Sequence, residues 1–580
     1  MLAMSALPIR LCGFLAALFA LMPVASAQLI FASGFEMRLD VPDSDADAAR
    51  FLTQATFGPT PDEIAHLRSL SGGYGAWIDE QLAATPSHLV PYLNYIASLD
   101  EPVYNNARLE IWWQNALLAP DQLRQRVAFA LSQIFVVSED SGAIHHPYAT
   151  GHYYDMLIDH AFGNYRDLLE AVTLSPAMGN YLSMRGNYPP DADGTIRPDE
   201  NYAREILQLF SIGLVMLNPD GTAVLENGAP LPSYTQYNVK TFAHIFTGWN
   251  YGNDPAMNNC THFQWCYEGY PFPVAWALPM QAFADFHHTE PDDDPDNNVL
   301  LGDVPRPHGG TPQQNLEIAL DNIANHPNVG PFIARRLIQH LVTSNPSPAY
   351  IGRMTAVFND NGAGVRGDLG ALVRAILLDE EARHGHQAHP TTFGKVREPL
   401  LRQSHLWRAF QAVSMNNRYS DWNPEFEFGQ APNRARSVFN FFQPDYQLPG
   451  EVATAGLYAP ETQIINETLI TMTANRFWNQ AEREHIGSPW AQDADDECVI
   501  WGVCRILLDF TPYYALAGNP NTLLDTLDVL LMNGQMSAHM RGELANHLNG
   551  IDPVGEHGAR NRVWGAVHLI MTSPEYMVQK

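Results

Sequence analysis

Apolar residues recur at spacings of three and four along stretch after stretch of this chain, and that property restricts the fold more than any other. The spacing lines one face of a helix with apolar side chains, and such a face must be buried against another element. It runs, with short breaks, through Thr60 to Leu70, Asn106 to Leu118, Leu123 to Ser138, Gln313 to Ala324, Gly330 to Val342, Gly367 to Leu378, Pro399 to Ala412, Pro460 to Trp478, Arg560 to Met571 and several segments between them. Strand-like alternation is confined to Met216 to Tyr234, where Asn218-Pro219-Asp220-Gly221-Thr222 predicts a hairpin turn. The pattern predicts a mainly α protein, a large multi-helical domain with long irregular loops and a minor β-hairpin. Three apolar helices end in a like polar stop, at Ser175-Pro176, Asp379-Glu380 and Ser573-Pro574. No fixed period joins them, which fits buried helices with similar terminations better than a repeat array.

The N-terminus decides the compartment. Arg10 precedes a largely apolar run from Leu11 to Val24 that closes in Ala25-Ser26-Ala27, a small-x-small cleavage signal, so residues 1–27 read as a signal peptide and the mature chain as starting at Gln28. No later segment approaches the ~20 uninterrupted apolar residues of a membrane span. A periplasmic or extracellular protein with no membrane span is the expectation. Residues 28–45 read as a linker, 46–480 as the main helical domain, and 481–580 as a C-terminal helical region packed on it. Cleavage would remove Cys12 and leave Cys260, Cys266, Cys498 and Cys504, two pairs whose members have five residues between them. An exported chain meets an oxidising compartment, so two local disulfides are predicted, with a four-thiolate zinc site as the alternative.

Charge removes two classes of partner. With 33 basic and 63 acidic residues the net charge is −30, a surface that repels nucleic acid and anionic lipid and suits a neutral or cationic partner or divalent cations.

The stretch from Pro198 to Gly213 carries the densest polar pattern. Ala203, Ile206, Leu207 and Phe210 form its apolar helix face, while Asn201, Arg204, Glu205 and Gln208 form a polar stripe. Pro198 and Asp199 read as the entry and Gly213 as the stop. A solvated face with a hydrogen bond between Asn201 and Glu205 explains such a stripe; a carboxylate and guanidinium site is the sharper expectation. Glu200 and Glu205 lie five apart, about 140° around a helix, so they share a cleft when Glu200 precedes the first turn.

Several segments together resemble a bacterial family catalogued as domain of unknown function 1800. They are Leu52 to Thr60, Arg124 to Gln133, Glu200-Asn201-Tyr202-Ala203-Arg204-Glu205, Thr247-Gly248-Trp249, His326-Pro327, Lys395-Val396-Arg397-Glu398-Pro399 and Ser573-Pro574-Glu575-Tyr576. The resemblance implies architecture and export, and a sulfatase-like exported protein as a partner, since members are often encoded beside one. It implies no activity. The family pattern has a histidine, an aspartate and a lysine before a Leu-Gly; here Phe286-His287-His288-Thr289 leads through an acidic insertion to Leu300-Leu301-Gly302, so either histidine matches and the lysine is missing.

Paired carboxylates suit general acid/base hydrolysis of glycosidic bonds, and an arginine or lysine orients an anionic group or holds a carboxylate ionised. The candidate catalytic residues are therefore Glu200, Arg204, Glu205, His288, His326 and Lys395. His287 and His288 adjoin Asp292 to Asp296, and His145, His146, His152, Asp155 and Asp159 cluster again. Histidine with carboxylate binds zinc or iron, though no H-E-x-x-H is present, and Asp292 to Asn298 or Asp191 to Gly194 would suit a divalent cation such as calcium. Neither G-x-S-x-G nor a phosphate-cradling glycine loop occurs. Two functional classes follow: a hydrolase or lyase acting on an extracellular glycan or similar polymer, and a non-catalytic binding or assembly partner of another exported enzyme.

Overall fold

A computed structural model describes residues 41–580 apart from 192, 194, 268–273, 293–294, 492–497, 499–503 and 555–556. The signal-peptide reading, most of the linker, and parts of both acidic loops lie outside the described residues. Helix makes up 54% of the structure, and the β-structure among the described residues is four two-stranded antiparallel pairings. The mainly α architecture with minor hairpins is as the periodicity predicts.

Local chemistry sets the helix ends. Thr60, Thr235 and Thr311 each close a capping box, with Glu63, Asn238 and Gln314 returning the bond to the cap backbone. The three like stops are helix-to-helix corners. Tyr165–Leu174, Leu369–Leu378 and Gly558–Met571 each give way to a short second helix, and Asp379 and Ser573 cap theirs through the side chain. Where a hairpin is predicted, Leu225–Glu226 pairs with Ala229–Pro230 around Asn227 and Gly228, both at positive φ. That is the two-residue turn whose twist suits a hairpin. Asn218 to Thr222 forms a second, wider turn beside it.

Sequence-distant helices share one apolar core. Trp113 lies 5.0 Å from Trp112 and 4.8 Å from Trp407, ring to ring, so the Asn105–Leu118 helix is bound to the Pro399–Ala409 helix. The Pro520–Met532 helix packs on both Asp45–Ala55 and Pro399–Ala409, and Glu467–Glu482 packs on Gly558–Met571. At the chain's end Val578–Gln579 adds antiparallel to Lys395–Val396. Both cysteine pairs, Cys260 with Cys266 and Cys498 with Cys504, are joined as disulfides. No helix among the described residues is long and apolar enough to cross a membrane.

Candidate active site

The Asn201–Gln208 helix begins where Asp199 accepts the Asn201 backbone N–H at 2.8 Å; Asp199 is in turn gripped by Asn187 through bonds of 2.8 and 3.1 Å. Tyr202, Ala203, Ile206 and Leu207 are buried, and the Tyr202 hydroxyl donates to Thr173 at 2.6 Å. The backbone N–H groups of Ile212 and Gly213 return to the Leu207 carbonyl, with Gly213 at φ 71°. This is a left-handed helix stop, and a Cβ there would stand 3.2 Å from the Phe332 ring.

The polar stripe divides into two environments. Glu200 precedes the first turn as the cap residue, and its carboxylate turns to Arg204 at 3.1 Å and to the Gln236 amide at 2.6 Å, while Arg204 donates to Gln236 at 3.1 Å. Arg204 and Glu200 are about one-third exposed, and Gln236 is exposed. Glu205 is 6% exposed and has neither an ion pair nor a hydrogen bond to its carboxyl among the described residues; its Oε2 is enclosed without a partner. Burial raises its carboxyl above the ordinary range against the pull of Arg204.

Two phenols feel the Glu205 charge, and one of them feels that of Asp140 as well. Burial pushes the Tyr181 phenol up to about 12, helped by the carboxylates of Asp140 and Glu205. Burial also raises Tyr234, with Arg204 opposing and Glu205 adding. Asp140 is raised by partial burial, against the pull of Arg434 and with a push from Glu139. Its 3-10 turn, Glu139–Ser141, is fixed from below, because buried Glu139 pairs with Arg108 at 3.1 Å and with Arg434, and its N–H donates to the Asn433 carbonyl at 3.0 Å. Tyr181 thus lies within reach of both the Glu205 and the Asp140 charges, and Tyr234 within reach of those of Glu205 and Arg204.

The other candidates stand elsewhere. His288 lies tilted against His244 with ring centroids 4.5 Å apart, and its Nε2 is buried without a partner. Arg306 donates to His244 Nδ1 at 3.0 Å, so that ring is neutral. Burial, His288 and Arg306 together lower His244 to about 3, and burial with Arg306 lowers His288 to about 4. His287 bridges the Thr247 carbonyl at 3.1 Å and the Asn315 amide at 2.9 Å. His326 takes its own turn's Asn328 N–H on Nδ1 at 3.2 Å and is lowered to about 4 by burial and Arg366. Among the described residues, no set of three or more His, Cys, Asp or Glu side chains is placed to hold a metal ion.

Lys395 is 3% exposed, and its ammonium is fully engaged, by the His340 carbonyl at 2.9 Å, Glu461 at 3.1 Å and Glu398 at 3.5 Å. Glu398 also accepts from the amides of Gln133 at 2.9 Å and Gln430 at 2.7 Å. Burial alone would raise the Glu398 carboxyl, but Lys395, His340 and Arg126 take it well below the ordinary range. Glu461 is raised by burial despite Lys395. Two cations and two carboxyls nearly balance, which is how a core tolerates charge.

No contact among the described residues joins Glu205 to His288, His326 or Lys395. Tyr181, in reach of both Glu205 and Asp140, lies outside the periodic segments, as Asp140 does, and Tyr234 ends the one strand-like stretch, so residue spacing gives no means of grouping them with Glu205. No curated protein and no solved structure matches the chain. A family model matches residues 50–578, nearly the whole length, and the chain therefore belongs to the family described as protein of unknown function (DUF1800).

Proposed function

We propose that this protein is an exported hydrolase or lyase acting on an extracellular glycan or similar polymer, with Glu205 as its proton donor. The observation that carries the reading is a buried carboxyl without a partner, raised above the ordinary range, with the Tyr181 phenol in reach both of it and of the Asp140 carboxylate. Glu398 is a paired structural carboxylate, whereas an unpaired and raised carboxyl such as Glu205 is the kind of group that proton transfer uses. Glu205 would give its proton to the leaving oxygen. Asp140, open to solvent, would take a proton from the attacking water in hydrolysis, or from the ring carbon in elimination. Tyr181 would hold a substrate hydroxyl, and the Glu200, Arg204 and Gln236 trio would frame the rim. Export is supported by the N-terminal sequence and by the two disulfides.

The alternative, a non-catalytic binding or assembly partner of another exported enzyme, draws on Trp265 and Tyr267, which are 75% and 51% exposed on the disulfide-stapled loop. Release of reducing ends, or of unsaturated ends by ultraviolet absorbance, from a panel of neutral and acidic polysaccharides separates the readings. Glu205→Gln and Asp140→Asn should each abolish turnover with unchanged melting. Wild-type turnover in Glu205→Gln would end the catalytic assignment, and loss of complex formation in Trp265→Ala without any turnover in the parent would favour the partner role.

A further inference from the structure

Two histidines hold a pair of loop segments to the core through bonds that only an uncharged ring can make, and a third lies beside them. Residues 287–290 and 306–309 are knit together by the Gly309 N–H, which donates to the Thr289 carbonyl at 3.1 Å, and by the Arg306 guanidinium, which donates to the Glu290 carbonyl. Arg306, 2% exposed, also donates to His244 Nδ1 at 3.0 Å on the Gln236–Ile245 helix. On the other side Asn315 donates to His287 Nε2 at 2.9 Å, and its bond to the Gly309 carbonyl at 3.1 Å fixes which end of the amide is the donor. The His287 Nδ1–H then goes to the Thr247 carbonyl at 3.1 Å. His288 lies tilted against His244, and its backbone N–H donates to the Thr247 hydroxyl at 2.9 Å.

A protonated imidazole has two N–H groups and no acceptor, so charging His244 or His287 removes a bond and sets two donors face to face. At His244 it also sets a charge against the Arg306 guanidinium. His288 adds to the cost, because two charged rings would stand 4.5 Å apart, centroid to centroid. Around the His244 and His288 rings, Arg306, Lys240, His287 and His308 oppose a further positive charge, while Asp292 favours one. The Asp292 Oδ2 is 3.9 Å from His244 Nε2, beyond hydrogen-bond reach, and Glu290 and Asp296 on the flanking turns are exposed to water. Burial and Arg306 hold all three rings below the ordinary value of 6.5.

We propose that His244, His287 and His288 form an acid-sensitive clasp, which holds residues 287–290 and 306–309 against the Gln236–Ile245 helix at neutral pH and releases them as pH falls toward 5. Rings that are neutral in the closed clasp and charged once it opens leave closure unaffected above 6.5 and weaken it as pH falls below that value. Two such rings raise the opening equilibrium at least about a hundredfold between roughly pH 7 and pH 5. The clasp connects to the candidate site. Thr247 precedes Gly248, whose N–H donates to the Asn187 carbonyl at 2.9 Å, and Asn187 grips Asp199 at the entry of the Asn201–Gln208 helix.

Hydrogen exchange followed by mass spectrometry tests the clasp without any assay of turnover, with protection factors corrected for the intrinsic pH dependence of exchange. Peptides covering 286–290 and 304–310 should lose at least about a hundredfold in protection between roughly pH 7 and pH 5, while the Pro399–Ala409 helix stays at least about tenfold better protected than they are. His244→Gln/His288→Gln, in which a glutamine still accepts from Arg306 and cannot charge, should shrink that loss by about tenfold or more. His288→Gln alone replaces a ring whose Nε2 has no partner among the described residues, and it carries the decision if the double variant melts lower at neutral pH. It should shrink the loss by about threefold or more. Protection unchanged by acid, equal protection of the clasp and the Pro399–Ala409 helix at the lower pH, or the full wild-type loss in both variants would each overturn the proposal.

Discussion

Replacing Lys395 by methionine separates scaffold from machinery at the most heavily charged part of the core. Methionine nearly matches the lysine stem in volume, so the cost comes from the carboxylates left behind. Glu398 would keep its two amide donors and the nearby Arg126 charge, whereas Glu461, 1% exposed, would lose its ion pair. Breaking a buried pair from one side costs about 3–5 kcal/mol, or roughly two to three and a half powers of ten in the unfolding equilibrium. Urea unfolding at pH 7, followed by tryptophan fluorescence, should show that loss. The double variant Lys395→Met/Glu461→Leu should recover most of it, since an apolar replacement of both partners leaves no stranded charge. The pH dependence has a definite sign. A depressed carboxyl contributes stability that is present above its unfolded value of 4.5 and is lost as pH falls through the lower folded value. The gap between wild type and Lys395→Met should therefore narrow below about pH 4.5. A single variant within ~1 kcal/mol of wild type at pH 7 would refute the reasoning, and loss of activity at full stability would return Lys395 to the substrate.

Glu205→Gln should melt no lower than wild type at pH 7. A raised carboxyl favours the fold below its unfolded value and loses that advantage as pH rises, so any gain in the variant should vanish by about pH 4 in paired melts. Arg204→Ala should cost less than ~0.5 kcal/mol in urea titration, because its partners are about one-third exposed. Gly58 has φ 129° and a would-be Cβ 2.6 Å from the His405 Cα, so Gly58→Ala should lose at least ~2 kcal/mol by the same measurement. His244 and His288 are neutral in the fold and charged in the unfolded chain below 6.5, so stability should fall as pH drops from 6.5 toward 4. His244→Gln/His288→Gln should flatten that slope in urea midpoints taken at pH 7 and pH 5.

What could be read in advance follows the range of the interactions involved. Helix existence, the entry at Asp199 and the stop at Gly213 rest on contacts within a few residues, and they stand where the spacing puts them. The division of the polar stripe follows from the same geometry, since a helix that buries Tyr202 and Ile206 turns Glu205 inward and leaves Arg204 near solvent. Lys395 shows where this reasoning stops. Its segment reads as a basic group beside a carboxylate, suited to orienting a substrate. Yet its environment is set by His340 and Glu461, 55 residues before it and 66 after, and no local pattern announces a cation enclosed by both. Tyr181 comes within reach of Glu205 and Asp140 in the same way, the phenol from the end of a six-residue helix and Asp140 from a 3-10 turn, elements too short to carry a period. The chemistry of this fold is thus assembled by packing between helices hundreds of residues apart, and a carboxyl without a partner becomes visible when that packing is complete.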